Sequence, residues 1–255
     1  MRPGACRPGR ADFRVAGFTL LELLVVMVLT GLLLGSVYSL LSTLSRGVAQ
    51  GMDRWDRMEA ERTVWISVER DLRPGLPDRD WQVTSAGVLR LRAFRGVARI
   101  CGEAGSAGVF PVAWQGERLP VPGRDSLLVL GSDGGWRGAG LTDWNENDAA
   151  CTSRPGERAG WMEWSGSGSR SPVLVRLFER GSYSFHAGAF RYARGGGLRQ
   201  PLTPELFGSD SRFELAPGGL RIRMEAAEEL VDLVGTRERE IRIRVDPGPE
   251  EDGVP

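Results

Sequence analysis

Residues 17–44 read GFTLLELLVVMVLTGLLLGSVYSLLSTL. From Phe18 to Leu44 there is no Pro, Lys, Arg or Asp, and the one charge is Glu22. A helix spans a bilayer with about 20 apolar residues, so this stretch is long enough. Ahead of it stand Arg2, Arg7, Arg10 and Arg14 against a single Asp12. Basic residues beside a first apolar segment hold that side in the cytoplasm. The expected topology is a single pass, with the N-terminus inside and everything after Arg46 outside. A secretory signal peptide has an apolar region of about 7–15 residues followed by a small-residue cleavage site. Here the run is longer, and no such site follows it. The small residue at a junction is Gly17, and it precedes the run.

Gly17-Phe18-Thr19-Leu20-Leu21-Glu22, with the apolar stretch behind it, resembles the processing motif of type IV prepilins and type II secretion pseudopilins. The resemblance implies cleavage between Gly17 and Phe18 by a membrane prepilin peptidase, which then N-methylates Phe18. It also assigns Glu22 to assembly. A carboxylate in hydrocarbon costs several kcal/mol unless paired. In the family it faces the N-terminal amine of a neighbouring subunit, so the pair sets axial register. Read from the residues alone, a carboxylate that snorkels or takes up a proton is the alternative. Gly31 and Gly35 form a G-x-x-x-G pair, the spacing that lets membrane helices approach closely. The chain has 35 glycines, so simple abundance is the competing account.

Thirty-three basic residues balance thirty-three acidic ones, and every basic residue is Arg. A neutral chain without basic runs argues against a nucleic-acid surface. The one histidine, His186, lies in the alternating stretch SYSFHAGAF and reads as a strand residue. No Ser-His-Asp set, phosphate loop or zinc spacing is present, so no enzyme and no cofactor are expected. Cys6 would leave with the leader. Cys101 and Cys151 remain, an even number for an oxidising compartment. A bridge between them would close a loop of about 50 residues, worth about 4 kcal/mol on chain-entropy grounds; two separate buried thiols are the alternative. Asp143, Asn145 and Asn147 begin a calcium-loop spacing. Asp148 then stands where Gly is needed, and Arg154 where Glu is needed, so the match stops there.

Along the chain, 1–17 reads as a cleaved basic leader and 18–44 as the transmembrane and assembly helix. Residues 45–73 read as its amphipathic continuation, with Val48, Met52, Trp55, Met58, Trp65, Val68 and Leu72 recurring on one face and Arg62 the exception. Asp53, Arg57, Glu61 and Arg70 fall on the expected wet face. Pro74-Gly75 stops the helix, which at 1.5 Å per residue would be about 80 Å long. Residues 74–246 read as a periplasmic antiparallel β-rich domain. Strands are expected around WQVTSAGVLRLRAF, DSLLVLGSD, GLRIRMEA and REIRIRV. A meander from Pro172 is expected to turn at Arg180-Gly181, Ala187-Gly188 and Gly195–Gly197. MEAAEELVDLV reads as a short helix or a bulged strand. Residues 131–171 read as a long loop holding Trp136, Trp144, Trp161 and Trp164, which either fold inward or form a partner contact. The acidic tail 247–255 reads as disordered.

The expected fold class is α+β and pilin-like, a long N-terminal helix packed on antiparallel sheet. The size of the domain and its irregular loops suit a minor subunit that helps initiate or cap a type IV pilus. A J-type minor pseudopilin of type II secretion is the alternative, and a single-span periplasmic protein of other, enzymatic role is the second. The implied partners are the prepilin peptidase, other pilins or pseudopilins, and the inner membrane.

Overall fold

The computed structural model describes residues 19–103, 109–146, 151, 154–166, 171–217, 219–227 and 238–244. The leader, Phe18, Asn147, Asp148, most of MEAAEELVDLV and the tail 247–255 lie outside them. The chain divides into two units, residues 1–52 and 53–255. Helix α1, Leu20–Leu72, supplies the described part of the first unit and opens the second.

In the first unit α1 is exposed almost throughout, including Leu24, Leu29, Leu33 and Leu40. Its hydroxyls satisfy themselves on the helix. Thr30 Oγ1 donates to Val26 O at 2.6 Å and Ser36 Oγ to Leu32 O at 2.9 Å. Thr43 Oγ1 donates to Ser39 O at 2.9 Å. In hydrocarbon, where no water can pair them, that back-bonding removes the cost of a polar atom. The stretch is long and apolar enough to cross a membrane, and none of it is buried inside the protein.

In the second unit one face of α1 is buried, and it is not the expected one. Arg57, Ala60, Glu61, Val64, Val68, Asp71 and Leu72 are buried. Of the apolar stripe read from the sequence, only Val68 and Leu72 are, with Trp65 half-buried. Val48, Met52, Trp55 and Met58 are exposed, Trp55 at 70%. The physical reason is size and pairing. Ala60 and Val64 let the helix approach the sheet closely, and Arg57 and Glu61 bond each other at 3.0 Å, so both can leave water. After Leu72 the helix ends at Pro74-Gly75, where Gly75 N donates to Leu72 O.

Twelve strands follow, all paired antiparallel. They are β1 (Trp81–Val83), β2 (Leu89–Ile100), β3 (Val109–Gly116), β4 (Ser126–Gly131), β5 (Trp136–Asn145) and β6 (Arg158–Ser165). Then come β7 (Pro172–His186), β8 (Ala189–Arg194), β9 (Arg199–Pro201), β10 (Arg212–Ala216), β11 (Gly219–Glu225) and β12 (Glu238–Arg244). The first nine form one sheet in the order β1-β2-β3-β6-β5-β4-β7-β8-β9, and β10-β11-β12 form a second. Because β2 also pairs with β7, the six strands β2-β3-β6-β5-β4-β7 close into a small barrel. The fold is α+β, as expected; the closure is not something the sequence patterns showed.

Two cores result. One lies beside α1, where Ala60, Val64, Val68 and Leu72 meet Leu89, Leu91, Tyr183 and Phe190 of the first sheet and Leu220, Ile222 and Met224 of the second. The other fills the barrel with Ala98, Val112, Trp114, Leu127, Val129, Met162, Val175 and Leu177. Gly96 and Gly116 stand opposite each other beneath the Trp114 ring. A Cβ on either would sit 2.3 Å from that ring, so both must be glycine for the tryptophan to lie flat inside.

The expected turn at Arg180-Gly181 is absent, since β7 runs straight through it. Gly181 is there because Tyr192 crosses it; an added Cβ would be 2.3 Å from the phenol oxygen. The turns at Ala187-Gly188 and Gly195-Gly196 form, with positive φ at all four residues. The expected long loop 131–171 holds two strands, β5 and β6. Gly160, Met162 and Trp164 alternate toward the core there, which a Gly- and Trp-rich composition hides. Two of its four tryptophans turn inward: Trp164 stacks on Phe110 at 4.4 Å, and Trp144 tilts against Trp114. Cys101 and Cys151 are joined by a disulfide.

Candidate functional site at the helix start

The described chain begins at Thr19, at the first turn of α1. Glu22 N donates to Thr19 Oγ1 at 3.3 Å, and Thr19 N donates to Glu22 Oε2 at 3.3 Å. These reciprocal bonds are a capping box, S/T-x-x-E, which satisfies two backbone donors that an α-helix start leaves open. Thr19-Leu20-Leu21-Glu22 therefore starts its own helix, and its carboxylate sits where the helix dipole favours negative charge. The sequence signal for this cap is the T-x-x-E spacing of Thr19 and Glu22. Glu22 itself is exposed, and the bonds the structure shows for its side chain go to Thr19.

Gly31 and Gly35 lie on α1 with nothing within 4 Å of where a Cβ would be. The notch they make is open, and no segment of this chain fills it among the described residues. Asp143 and Asn145 lie on β5, with a bulge between Leu141 and Asp143, rather than in a loop that could wrap an ion. Asp143 Oδ1 instead accepts from Trp144 N. Among the described residues no three His, Cys, Asp or Glu side chains gather as metal ligands would. His186 ends β7, exposed, and its carbonyl accepts from Arg191 Nε at 2.8 Å.

The densest charge lies elsewhere, where the two cores of the second unit meet. The register of β2 on β7 shifts between Phe94 and Gly96, so Arg95 is an inserted residue. Such a bulge re-aims a side chain, and here it keeps Arg95 on the inner side between the two cores. Arg95 Nη1 and Nη2 clasp Asp71 of α1 at 2.9 and 3.3 Å, and its Nε and Nη2 reach Glu179 Oε1 of β7 at 3.2 and 3.0 Å. Tyr183 donates to Asp71 at 2.7 Å, and Tyr192 to Glu179 at 2.9 Å. From the β3–β4 connection, Arg124 Nε reaches Glu179 at 2.9 Å, and Arg118 bridges Glu179 and Asp125.

Three buried carboxylates, Asp71, Asp125 and Glu179, face Arg95, Arg118 and Arg124, and at the rim Arg70 bonds Asp71 at 3.2 Å while Glu117 lies 3.7 Å from Arg95. Burial alone would raise Glu179, but hydrogen bonds from Tyr192, Arg95 and Arg124 outweigh it and hold its carboxyl at about 2. Burial opposes charge on Arg95 too, and Asp71 and Glu179 more than offset that and raise it. Tyr183 and Tyr192 are pushed up, first by burial and then by the carboxylates they bond. A carboxylate so placed has no basicity left at neutral pH, and each guanidinium is occupied. The cluster is a clamp between helix, sheet and barrel, not a reacting site.

No curated protein and no solved structure matches the chain. A family description does: residues 12–38 match the prokaryotic N-terminal methylation motif. The matched segment holds Gly17, Phe18, the Thr19–Glu22 capping box and the first turns of the exposed helix, with Gly31 and Gly35. Through residues 12–38 the chain carries the signature of a type IV pilin-like prepilin, a substrate of prepilin peptidase that associates with the membrane.

Proposed function

We propose that this chain is a minor pilin-like structural subunit, not an enzyme, and that it helps initiate or cap a type IV pilus. Prepilin peptidase removes residues 1–17 and methylates Phe18. The N-terminus faces the cytoplasm before cleavage, and residues 53–255 stand in the periplasm. The observation that carries the reading is the contrast within α1. Residues 20–44 are apolar but for Glu22 and a few hydroxyls bonded to the helix itself, and they are exposed almost throughout, whereas 57–72 bury a face in the folded domain. A surface of that kind suits lipid first and the helices of other subunits afterwards. Gly31 and Gly35 supply the close approach, and Glu22 supplies the charge that a neighbour's new amine answers.

The test is mass spectrometry of the N-terminal peptide from cells that contain the peptidase. The expected species begins at N-methylated Phe18, and Gly17→Leu keeps the leader. An intact Met1 in the parent, or a cut after Leu44, defeats the proposal. Co-purification then assigns the machine: pilus subunits support the pilus role, and secretion pseudopilins would replace it with the J-type role.

A further inference from the structure

The face of the sheet turned away from α1 carries a charge pattern that the fold does not explain. On β2, Leu89, Leu91 and Ala93 point into the core, so Arg90 and Arg92 point the other way. Arg92 stands directly opposite Arg180 of β7, and Arg90 opposite Ser182. Like charges directly across a strand pair are destabilising. Arg92 is answered by Asp80 at 3.2 Å and lies over the Phe178 ring. Arg90, Arg180 and the neighbouring Arg194 are exposed, and none forms an ion pair with a described residue.

These arginines border two adjoining hollows. One, about 570 Å³, is walled by Asp78, Arg79, Arg90, Arg92 and Arg180. The other, about 760 Å³, is walled by Arg124, Arg180 and Arg194 and by Val121, Pro122 and Gly123. Arg180 and Gly195 belong to both, so the hollows form one groove on either side of the Gly195–Gly197 turn. Arg124 is spent on Glu179. That leaves Arg79, Arg90, Arg180 and Arg194 facing the space.

We propose that this groove binds an acidic polypeptide segment of another protein. Guanidinium forks match carboxylates in pairs, and an external row of carboxylates removes the Arg92–Arg180 repulsion. The second wall charge decides between polymers. Asp78, exposed and at φ 60°, lies among the arginines. A phosphodiester or sulfated chain, anionic at every unit, is repelled there; a peptide offers backbone N–H donors between its carboxylates. The groove also presents no exposed aromatic ring on which a base would stack, since Trp81 is buried.

The test uses the full chain in detergent micelles and a fluorescent octapeptide of alternating Glu and Ser, read by anisotropy at low and at physiological salt. Saturable binding is expected. It should weaken with salt and fall by tenfold or more in the Arg90→Ser/Arg180→Ser double variant. The thermal midpoint of that variant should equal or exceed the parent's, because a like-charge contact has gone. No saturable binding at low salt overturns the proposal, as does binding unchanged in the double variant. A fall of several degrees in the midpoint makes the arginines structural and overturns it too. Equal or tighter binding of a single-stranded oligonucleotide or a polyphosphate of matched charge shows that the groove takes another polyanion, and rejects the peptide assignment.

Discussion

Glu22 and Glu179 are both carboxylates set in apolar sequence, and the two regions treat them in opposite ways. Glu179 is 2% exposed and accepts hydrogen bonds from Arg95, Arg118, Arg124 and Tyr192. Every charge it needs comes from its own chain. Glu22 stands on an open helix, and among the described residues its side chain bonds to Thr19, which caps that helix. On the proposed function, the difference separates a charge completed by folding from one that assembly would complete. It also explains why α1 buries Arg57 and Glu61 in the second unit yet exposes leucines in the first. In the second unit α1 buries the face that meets the folded sheet; in the first it has no such neighbour among the described residues.

The strongest way to break the comparison is to remove the centre of the clamp. Arg95→Ala leaves Asp71 and Glu179 buried without their shared partner. Breaking a buried ion cluster from one side costs about 3–5 kcal/mol, so denaturant unfolding of the full chain in detergent should show a loss of that size. Arg95→Met should recover part of it by filling the space. A loss under 1 kcal/mol would mean that Asp71 and Glu179 are already satisfied by Tyr183, Arg118, Arg124 and Tyr192, and that the bulge at Arg95 is not what ties the helix to the barrel.

The next effect is a pH dependence with a fixed sign. Glu179 is held at about 2, below the ordinary 4.5. A folded-state value below the unfolded one adds stability that is fully present above about pH 4.5 and is lost as pH falls toward 2. The linkage is worth about 3 kcal/mol. Glu179→Gln should therefore be less stable than the parent at pH 7, and the two should converge between pH 4.5 and pH 2. Parallel curves over that window would show that Glu179 carries no special charge stabilisation.

Much of this was legible in the sequence, and what was not has identifiable causes. The membrane stretch, the strands with clean alternation such as GLRIRMEA, and the glycine turns at 187–188 and 195–197 all follow from local chemistry. The buried face of α1 did not, because two stripes compete there. Trp55 and Met58 are the larger apolar side chains, yet it is the smaller Ala60 and Val64 that are buried. The barrel was hidden because its closure joins β2 to β7 across the rest of the domain and turns on an inserted Arg95. The strands of 131–171 were hidden because Gly160 owes its identity to Trp144 lying across it, with an added Cβ 2.5 Å from that ring. At the helix start the same four residues carry two messages. Thr19-Leu20-Leu21-Glu22 is a capping box and also part of the methylation motif.

The smallest expected effect on stability separates those two messages. A capping box accepts Glu or Gln at its third helical position, so Glu22→Gln keeps the local bonds and deletes the charge. Thr19→Ala does the reverse: it removes the cap, at about 1 kcal/mol of local helix stability, and keeps the carboxylate. Both variants should insert and be cleaved, since neither alters Gly17 or adds charge to the span. If Glu22 answers a neighbour's amine, Glu22→Gln should lose co-purification with partner subunits, while Thr19→Ala assembles at near-parental levels. If its work is only to start its own helix, the order inverts, because Thr19→Ala frays the first turn and Glu22→Gln is silent. The measurement is cleaved monomer in membranes against material pulled down with partners, for both variants side by side. A result in which Glu22→Gln assembles normally would place the carboxylate with Glu179 after all, as a charge the chain completes for itself.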